Sequence, residues 1–473
     1  MKKINFLLFF LFLNLTYSFY IQEGDNPQII SNFTFGSNFY GRKTENVDIF
    51  KTILKHNSDL WLWLGNSVSL DKPTFFNSEY YQENNDWSFI KQLYNKVYNN
   101  QYYAKLRDKI PIIGTWGEDE YGVLNGDKDN KFKERYKLNF LNFLETDIYD
   151  SRIENNNYGI YSSYSFGSGN KTVRFILLDL MYDRNSDYND ENYDMLGEEQ
   201  WKWLEHLFEK YTETYTFIAM SNQFLSNDRL IMKKWYKNNR IKLFELIGKY
   251  KKSGVVLLSG GSGFTQILKT FCPLPNIGYN IYEFTSSGLG YLNKLGAYYN
   301  NLYHNDYLIE GTNYNDINFG QIKIHWDEDD DVENSYLSME IYDENDKMIS
   351  NVEIKYKDLI YREDSSSFYD NENNLEKIKY MNIQDGEKCQ RELLYRRVRS
   401  PLMIFKYYFT NLRELPIAIL TTVIFIILAE LVMQKRIFII LILLLISFAI
   451  YSGYYIIELM SYNNFVEKIK SIK

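Results

Sequence analysis

Histidine, cysteine and net positive charge are what this chain has least of. Its 473 residues include four histidines and two cysteines. His56, His206 and His325 fall at a helix end, in a helix and in a strand, without metal-ligand spacing. His304 lies in a loop beside Asp306 and reads either as a catalytic candidate or as an ordinary surface histidine. A net charge of −8 gives no support to nucleic-acid binding, which would want a basic patch, and no nucleic-acid partner is expected. A hydrophobic content of 45% with 18% aromatics excludes a disordered chain and leaves ample material for a core. No internal repeat is present, and the excess of Tyr, Asn, Lys and Ile is a compositional bias.

Reactive residues are also missing where an α/β fold would place them. The buried run Val255-Val256-Leu257-Leu258 ends in Ser259-Gly260-Gly261-Ser262-Gly263-Phe264. Ligands gather beyond the carboxyl ends of such strands, yet this turn offers no Asp, His or Cys. Ser259 and Ser262 have no evident base, which argues against a serine hydrolase. Gly260 to Gly263 could cup an anion, but no Walker-type lysine follows, and close packing is the simpler account.

The two ends of the chain carry targeting signals. Met1-Lys2-Lys3, the apolar stretch Phe6 to Leu13 and the small residues Thr16 and Ser18 have the form of a signal peptide over residues 1–18; a first β-strand is the other reading. Leu415 to Met433 and Ile437 to Met460 are almost wholly apolar and long enough to span a bilayer as a helical hairpin. The turn Gln434-Lys435-Arg436 between them then faces the cytoplasm. Arg391, Arg396, Arg397, Arg399, Lys406 and Arg413 stand on the opposite side. A long translocated domain follows its signal rather than loop charge. The expected location is a membrane of the secretory pathway or the cell surface, multi-pass, with a lumenal or extracellular body. Asn32-Phe33-Thr34 and Asn170-Lys171-Thr172 are then possible N-glycosylation sites. Cys272 and Cys389 could pair in an oxidising lumen; a free, buried Cys272 is the other reading.

Between the ends, strands alternate with amphipathic helices. Thr44 is expected to cap a helix carrying Val47, Phe50, Ile53 and Leu54. Leu60 to Leu64, Val173 to Leu178, Thr216 to Met220 and Val255 to Leu258 read as strands. Helices carrying Trp201, Leu204, Leu207 and Phe208, then Ile241, Phe244 and Ile247, separate the later ones. Gln321 to Trp326, Ser335 to Tyr342 and Val352 to Tyr356 form a meander. Asp327 to Asp331 is its solvated tip, since a calcium loop would need a glycine and helical flanks. Arg362 to Asn374 is polar and Ser-rich. The expected organisation is a domain over residues 19–360, a polar then basic juxtamembrane linker over 361–414, and spans at 415–433 and 437–460.

Several ordered motifs resemble the alkaline phosphatase D (PhoD-like) family of metallophosphatases, from about Asn32 to about Trp326. They are Met195-Leu196-Gly197-Glu198-Glu199-Gln200-Trp201-Lys202-Trp203-Leu204-Glu205 and Tyr282-Glu283-Phe284-Thr285-Ser286-Ser287-Gly288-Leu289. Leu106-Arg107, Ile110 to Trp116 with Tyr121-Gly122, and Asn318-Phe319-Gly320 add to them. The resemblance implies an α/β fold: a metallophosphatase-like sandwich of two β-sheets flanked by helices, here with a C-terminal transmembrane hairpin.

It also implies where a metal site would lie, and there the chain departs. The family's Gly-Ser-Cys is Gly36-Ser37-Asn38. Its Gly-Asp turn is Gly65-Asn66. Its Trp-Asp-Asp-His-Asp-Tyr-Gly stretch is Trp116-Gly117-Glu118-Asp119-Glu120-Tyr121-Gly122, and its Gly-Asp-Arg-His turn is Gly260-Gly261-Ser262-Gly263. Asp71 and Asp179 match family acids, while Met181 stands where an Arg is expected. Phosphate-ester hydrolysis needs a metal to polarise the phosphoryl oxygen and generate hydroxide, held by several converging ligands. Asn38 and Asn66 offer neutral oxygens at best, and Gly261 and Gly263 offer none. Glu118, Asp119 and Glu120 with Asp179 could hold Ca²⁺; a solvated acidic loop is the plainer reading.

No catalytic or metal residue and no cofactor is therefore expected. The favoured reading is a membrane-anchored, catalytically inactive pseudophosphatase acting as a structural or interaction module with a protein partner. An active phosphomonoesterase or phosphodiesterase would draw Ca or Fe ligands from Asp71, Glu118, Asp119, Glu120 and Asp179. A module binding a phosphate-bearing or lipid ligand without turnover is the third reading.

Overall fold

The computed structural model describes residues 24–39, 48–68, 87–123, 126–154, 158–187, 193–225, 235–270, 274, 276–292, 305 and 307–363. All lie in the first of two units into which the chain divides, Met1–Pro401 and Leu402–Lys473. The signal segment, Asp71, Cys272, His304, Cys389 and both apolar spans fall outside the described residues. Among the described residues no helix is long and apolar enough to cross a membrane.

The elements run in chain order as follows. β1 (Gly24–Asn26) and β2 (Asn32–Gly36) precede α1 (Ile49–Ile53) and β3 (Leu60–Leu64). α2 (Trp87–Tyr98), α3 (Gln101–Arg107), β4 (Ile112–Thr115) and the single turn α4 (Glu118–Tyr121) come next. α5 (Lys133–Phe143), α6 (Ser151–Glu154), the hairpin β5 (Ser162–Ser168) and β6 (Lys171–Leu177), and α7 (Glu198–Lys210) follow. β7 (Tyr215–Met220), α8 (Lys237–Lys249), β8 (Val255–Ser259), β9 (Gln266–Lys269) and β10 (Tyr282–Thr285) lead to the meander β11 (Asn318–His325), β12 (Tyr336–Asp343) and β13 (Met348–Lys355).

These strands build two sheets, ordered β1-β5-β6-β7-β8-β10-β9 and β13-β12-β11-β2-β3-β4. The centre of each is parallel: β6, β7, β8 and β10 in one, and β2, β3 and β4 in the other. Strands sheathed on both faces read as continuous apolar runs, which is why Leu60–Leu64 and Val255–Ser259 are buried throughout.

The alternation of side chains along β2 sends Phe33 and Phe35 toward the opposite sheet. Phe33 meets Phe175 and Phe217 edge-on at 4.9 Å, and Phe35 meets Phe284 likewise at 4.9 Å. On β3, Trp61 and Trp63 pack against α1 through Phe50, and Trp63 donates its indole N–H to the Tyr103 hydroxyl of α3 at 3.0 Å. The result is a two-sheet α/β sandwich with helical cover.

Two local expectations need correction. Asp48 caps α1, its carboxylate accepting from the Phe50 amide at 3.0 Å, while Thr44 and Val47 lie outside the described residues. Phe50 and Ile53 are buried as expected, whereas Leu54 belongs to a following 3-10 turn. Glu118, Asp119 and Glu120 are not a solvated loop: they form α4, with Asp119 2% and Glu120 0% exposed. The strand assignments stand within four residues at their ends, the largest difference being the start of β13 at Met348 rather than Val352.

Candidate functional site

The carboxyl ends of the parallel strands of both sheets meet at one place. The Ser37 hydroxyl, just past β2, donates to the Ser286 carbonyl past β10 at 2.9 Å and accepts from the Gly261 amide past β8 at 3.1 Å. At the end of β4, the Thr115 hydroxyl donates to the Leu178 carbonyl past β6 at 2.7 Å. A Cβ at Gly65 would meet the Cβ of Ser221 past β7 at 2.8 Å. Asn38, Asn66, Gly117, Glu120 and the Gly260 to Gly263 turn, named from sequence alone, are thus neighbours in the fold.

The backbone explains part of the residue choice. Asn38 and Asn66, each two residues past its strand, lie in the left-handed region, at φ 58° and 52°. Asparagine enters that region more readily than most residues because its short amide bonds locally. Gly65, Gly261 and Gly263 lie there too, at little steric cost.

The side chains then close on one another. Asn66 donates its amide to the Asn38 side-chain oxygen at 2.7 Å. The Asn66 oxygen faces the Asp119 amide at 3.4 Å and fills the space beside Gly117, where an added Cβ would strike it. Glu120 accepts from the Asn66 amide at 2.8 Å, the Gly117 amide at 2.7 Å, the Ser67 hydroxyl at 2.8 Å and the Ser67 amide. Burial pushes its carboxyl up to about 7, against the pull of the bonds from Gly117 and Ser67.

Asp179 is equally engaged. Its Oδ1 accepts from the Trp116 indole at 2.7 Å and from the amides of Met181 and Tyr182 at 2.9 and 3.1 Å; its Oδ2 accepts from the Ile160 amide at 2.9 Å. Burial raises its pKa, partly offset by these bonds. Met181, in place of the expected Arg, is buried.

Sequence reasoning passed over Glu283 as a functional position. Fully buried on β10, it accepts from the Phe224 and Leu225 amides at 2.8 and 2.5 Å and so fixes the segment after β7. The available signal was an acid set between aromatic residues of an otherwise apolar strand. Ser37, Ser67 and Ser221 were also missed as part of the site.

A metal does not fit this lining as it stands. It would have to break the Asn38–Asn66 pair or strip Glu120 and Asp179 of donors they already hold, and buried acceptors are costly to leave unpaired. Among the described residues, no group of three or more His, Cys, Asp or Glu side chains is placed to hold a metal ion. Two buried donors are unused: the Asn38 Nδ2 and the Ser221 Oγ have no hydrogen-bond partner.

The possible glycan acceptors differ in setting. The Asn32 amide nitrogen donates to the His56 carbonyl at 2.9 Å within a half-buried strand end. Asn170 is exposed at the β5–β6 turn, where it bonds the Asp330 carbonyl at 3.1 Å.

No protein-family model matches the chain, and no curated protein does. Among solved structures, it is similar in fold to PhoD, at 13% identity and a TM-score of 0.43, over 80% of this chain and 79% of that one. GAP50, the anchor in the inner membrane complex of Plasmodium, is similar at 13% identity and a TM-score of 0.44, over 77% of this chain and 95% of that one.

Proposed function

We propose that this chain is a membrane-tethered pseudophosphatase, a phosphatase-like body that does not turn over phosphate esters and serves as an interaction module. The observation that carries the reading is the interlock of Asn66 with Asn38, Gly117 and Glu120, which uses the strand ends for hydrogen bonding and packing. Hydrolysis at neutral pH would require a metal-activated water and a polarised phosphoryl oxygen. The described lining supplies neutral amides and hydroxyls, with its carboxylates already occupied by donors.

The tether rests on the apolar stretches 415–433 and 437–460, with the body lumenal or extracellular and Lys435 and Arg436 cytoplasmic. Protease added outside intact vesicles should leave the body uncut. A body digested from the cytoplasmic side would end this topology.

The deciding experiment uses the full chain purified in detergent. Bound Fe, Ca, Zn and Mn are quantified alongside phosphomonoesterase and phosphodiesterase turnover. Substoichiometric metal and no turnover are expected. Stoichiometric metal with turnover that disappears in Glu118→Gln or Asp179→Asn would establish the enzyme reading instead. A second reading, ligand binding without turnover, draws on the unused donors of Asn38 and Ser221. A screen of phosphate-bearing and lipid ligands separates it from the first.

A further inference from the structure

We propose that β13 is a docking edge for a second copy of this chain. The two β13 strands pair antiparallel about a two-fold axis at Ile354, with Glu353 of each copy opposite Lys355 of the other.

The backbone of β13 is open on one side. It runs antiparallel to β12, with Ile354 opposite Leu337 and Val352 opposite Met339. Just past its end, the Tyr356 amide donates to the Ser335 carbonyl at 2.9 Å. Bonding sides alternate along an antiparallel strand, so Ser350, Val352 and Ile354 also turn their N–H and C=O groups toward β12. Those of Asn351, Glu353 and Lys355 point the other way, and among the described residues no backbone hydrogen bond reaches them.

The other sheet edges are short or covered. β1 and β4 have three and four residues. The β9 edge is sealed by residues 307–314: the Lys269 amide donates to the Tyr307 carbonyl at 2.8 Å, and the Ile309 amide to the Ile267 carbonyl at 3.0 Å. β13 is eight residues long and has no such cover among the described residues. Edge strands are commonly guarded by proline, by a charge pointing inward or by a bulge. β13 has no proline, and Ser350, Val352 and Ile354 are the side chains that share a face with buried Ile341, Met339 and Leu337. Its register shift lies at the far end, opposite Ile341 and Tyr342.

The charges select the partner. Asn351, Glu353 and Lys355 are exposed on the outer face, and neither charged side chain has an ion-pair partner among the described residues. An edge carrying one sign of charge would repel its own copy, whereas an acid and a base two positions apart are self-complementary. An axis at Glu353 would set that acid against itself, and an axis at Val352 would set it against Asn351. The axis at Ile354 sets each Glu353 against a Lys355, in hydrogen-bonded pairs that use the outward amides of both residues. A contact this short is weak in dilute solution. It gives the interaction module proposed above a partner, and it rests on that reading for the tether, which holds copies in one bilayer at high effective concentration.

Hydrogen–deuterium exchange resolved to single amides, on the full-length protein in detergent at low and high protein concentration, tests the pairing. On concentration the Glu353 and Lys355 amides should gain about tenfold protection, while Asn351 stays open and Val352 and Ile354 are unchanged. Sedimentation equilibrium in density-matched detergent should show a dimer whose association weakens about tenfold in Glu353→Lys and in Lys355→Glu. Combining the two substitutions restores the opposite-charge pairs and should restore the dimer. A chain that stays monomeric at high concentration, or a dimer indifferent to the single reversals, would overturn the proposal. So would protection of these amides that arises only when another protein is added. Failure of the tether alone would show as digestion of the body in the vesicle assay, with the dimer in detergent unaffected.

Discussion

Asn66 occupies the volume that a side chain at Gly117 would need. The Gly117 backbone is in the extended region, at φ −116°, open to any residue, so the exclusion comes from the neighbour. A packing conflict of this kind typically costs about 1–3 kcal/mol. Gly117→Ala should destabilise the body by about that amount, whereas the same change in an Asn66→Gly background should cost less than about 1 kcal/mol. Chemical denaturation of the four proteins of this cycle measures the coupling, and additive effects would count against the interlock.

Glu120 should reverse the usual dependence of stability on acid. Its folded pKa is raised from 4.5 to about 7, so the folded body keeps a proton that the unfolded chain has released. The stabilisation is fully present below the unfolded value and is lost as pH rises through about 7. Burial and the Asp179 charge raise Asp183 to about 6, in the same sense. The urea midpoint should therefore be higher near about pH 5 than near about pH 7.5, with a flatter profile in Glu120→Gln. A wild-type midpoint that climbs across this interval would contradict the assignment.

Removing the charge on Glu283 should loosen the segment it holds. In Glu283→Gln one of the Phe224 and Leu225 amides would face an NH₂ group, at a cost of about 1–3 kcal/mol. Faster exchange at residues 221–225, with the strands of both sheets unchanged, is the expected outcome. Uniform loss of protection would instead make Glu283 a general core residue.

Glycosylation should separate the two sequons. Asn170 is exposed, while the Asn32 amide is committed to the His56 carbonyl. Expression through a secretory pathway should give a glycosidase-sensitive mobility shift that disappears in Asn170→Gln and survives Asn32→Gln. The opposite pattern would require the β2 end to open.

The strands were legible because their burial is written as continuous apolar runs, as in Leu60 to Leu64 and Val255 to Leu258. The positions of the candidate site were legible from motif order, and Asn38, Asn66, Gly117 and Gly261 do gather at the strand ends. The state of the acids was not. Three consecutive acids look solvated in sequence, but the donors that permit burial of Glu120 come partly from Asn66 and Ser67, more than fifty positions earlier. The start of α1 was misplaced because Thr44 and Asp48 are both competent caps, and only the fold selects between them.

The glycine turn after β8 limits which side chains the strand ends can accept. A Cβ at Gly260 would meet the Ser37 hydroxyl oxygen at 2.6 Å as well as the Leu64 carbonyl, and Gly261, at φ 71°, is closed to ordinary side chains by its backbone and by the Ser221 carbonyl. An Asp or His placed there by one substitution would meet strain before it met any ligand, and the strand ends of the other sheet would have to retreat in the same step. The turn and the strand ends packed against it therefore form one unit for substitution, in which a change at one position has to be accommodated by the others.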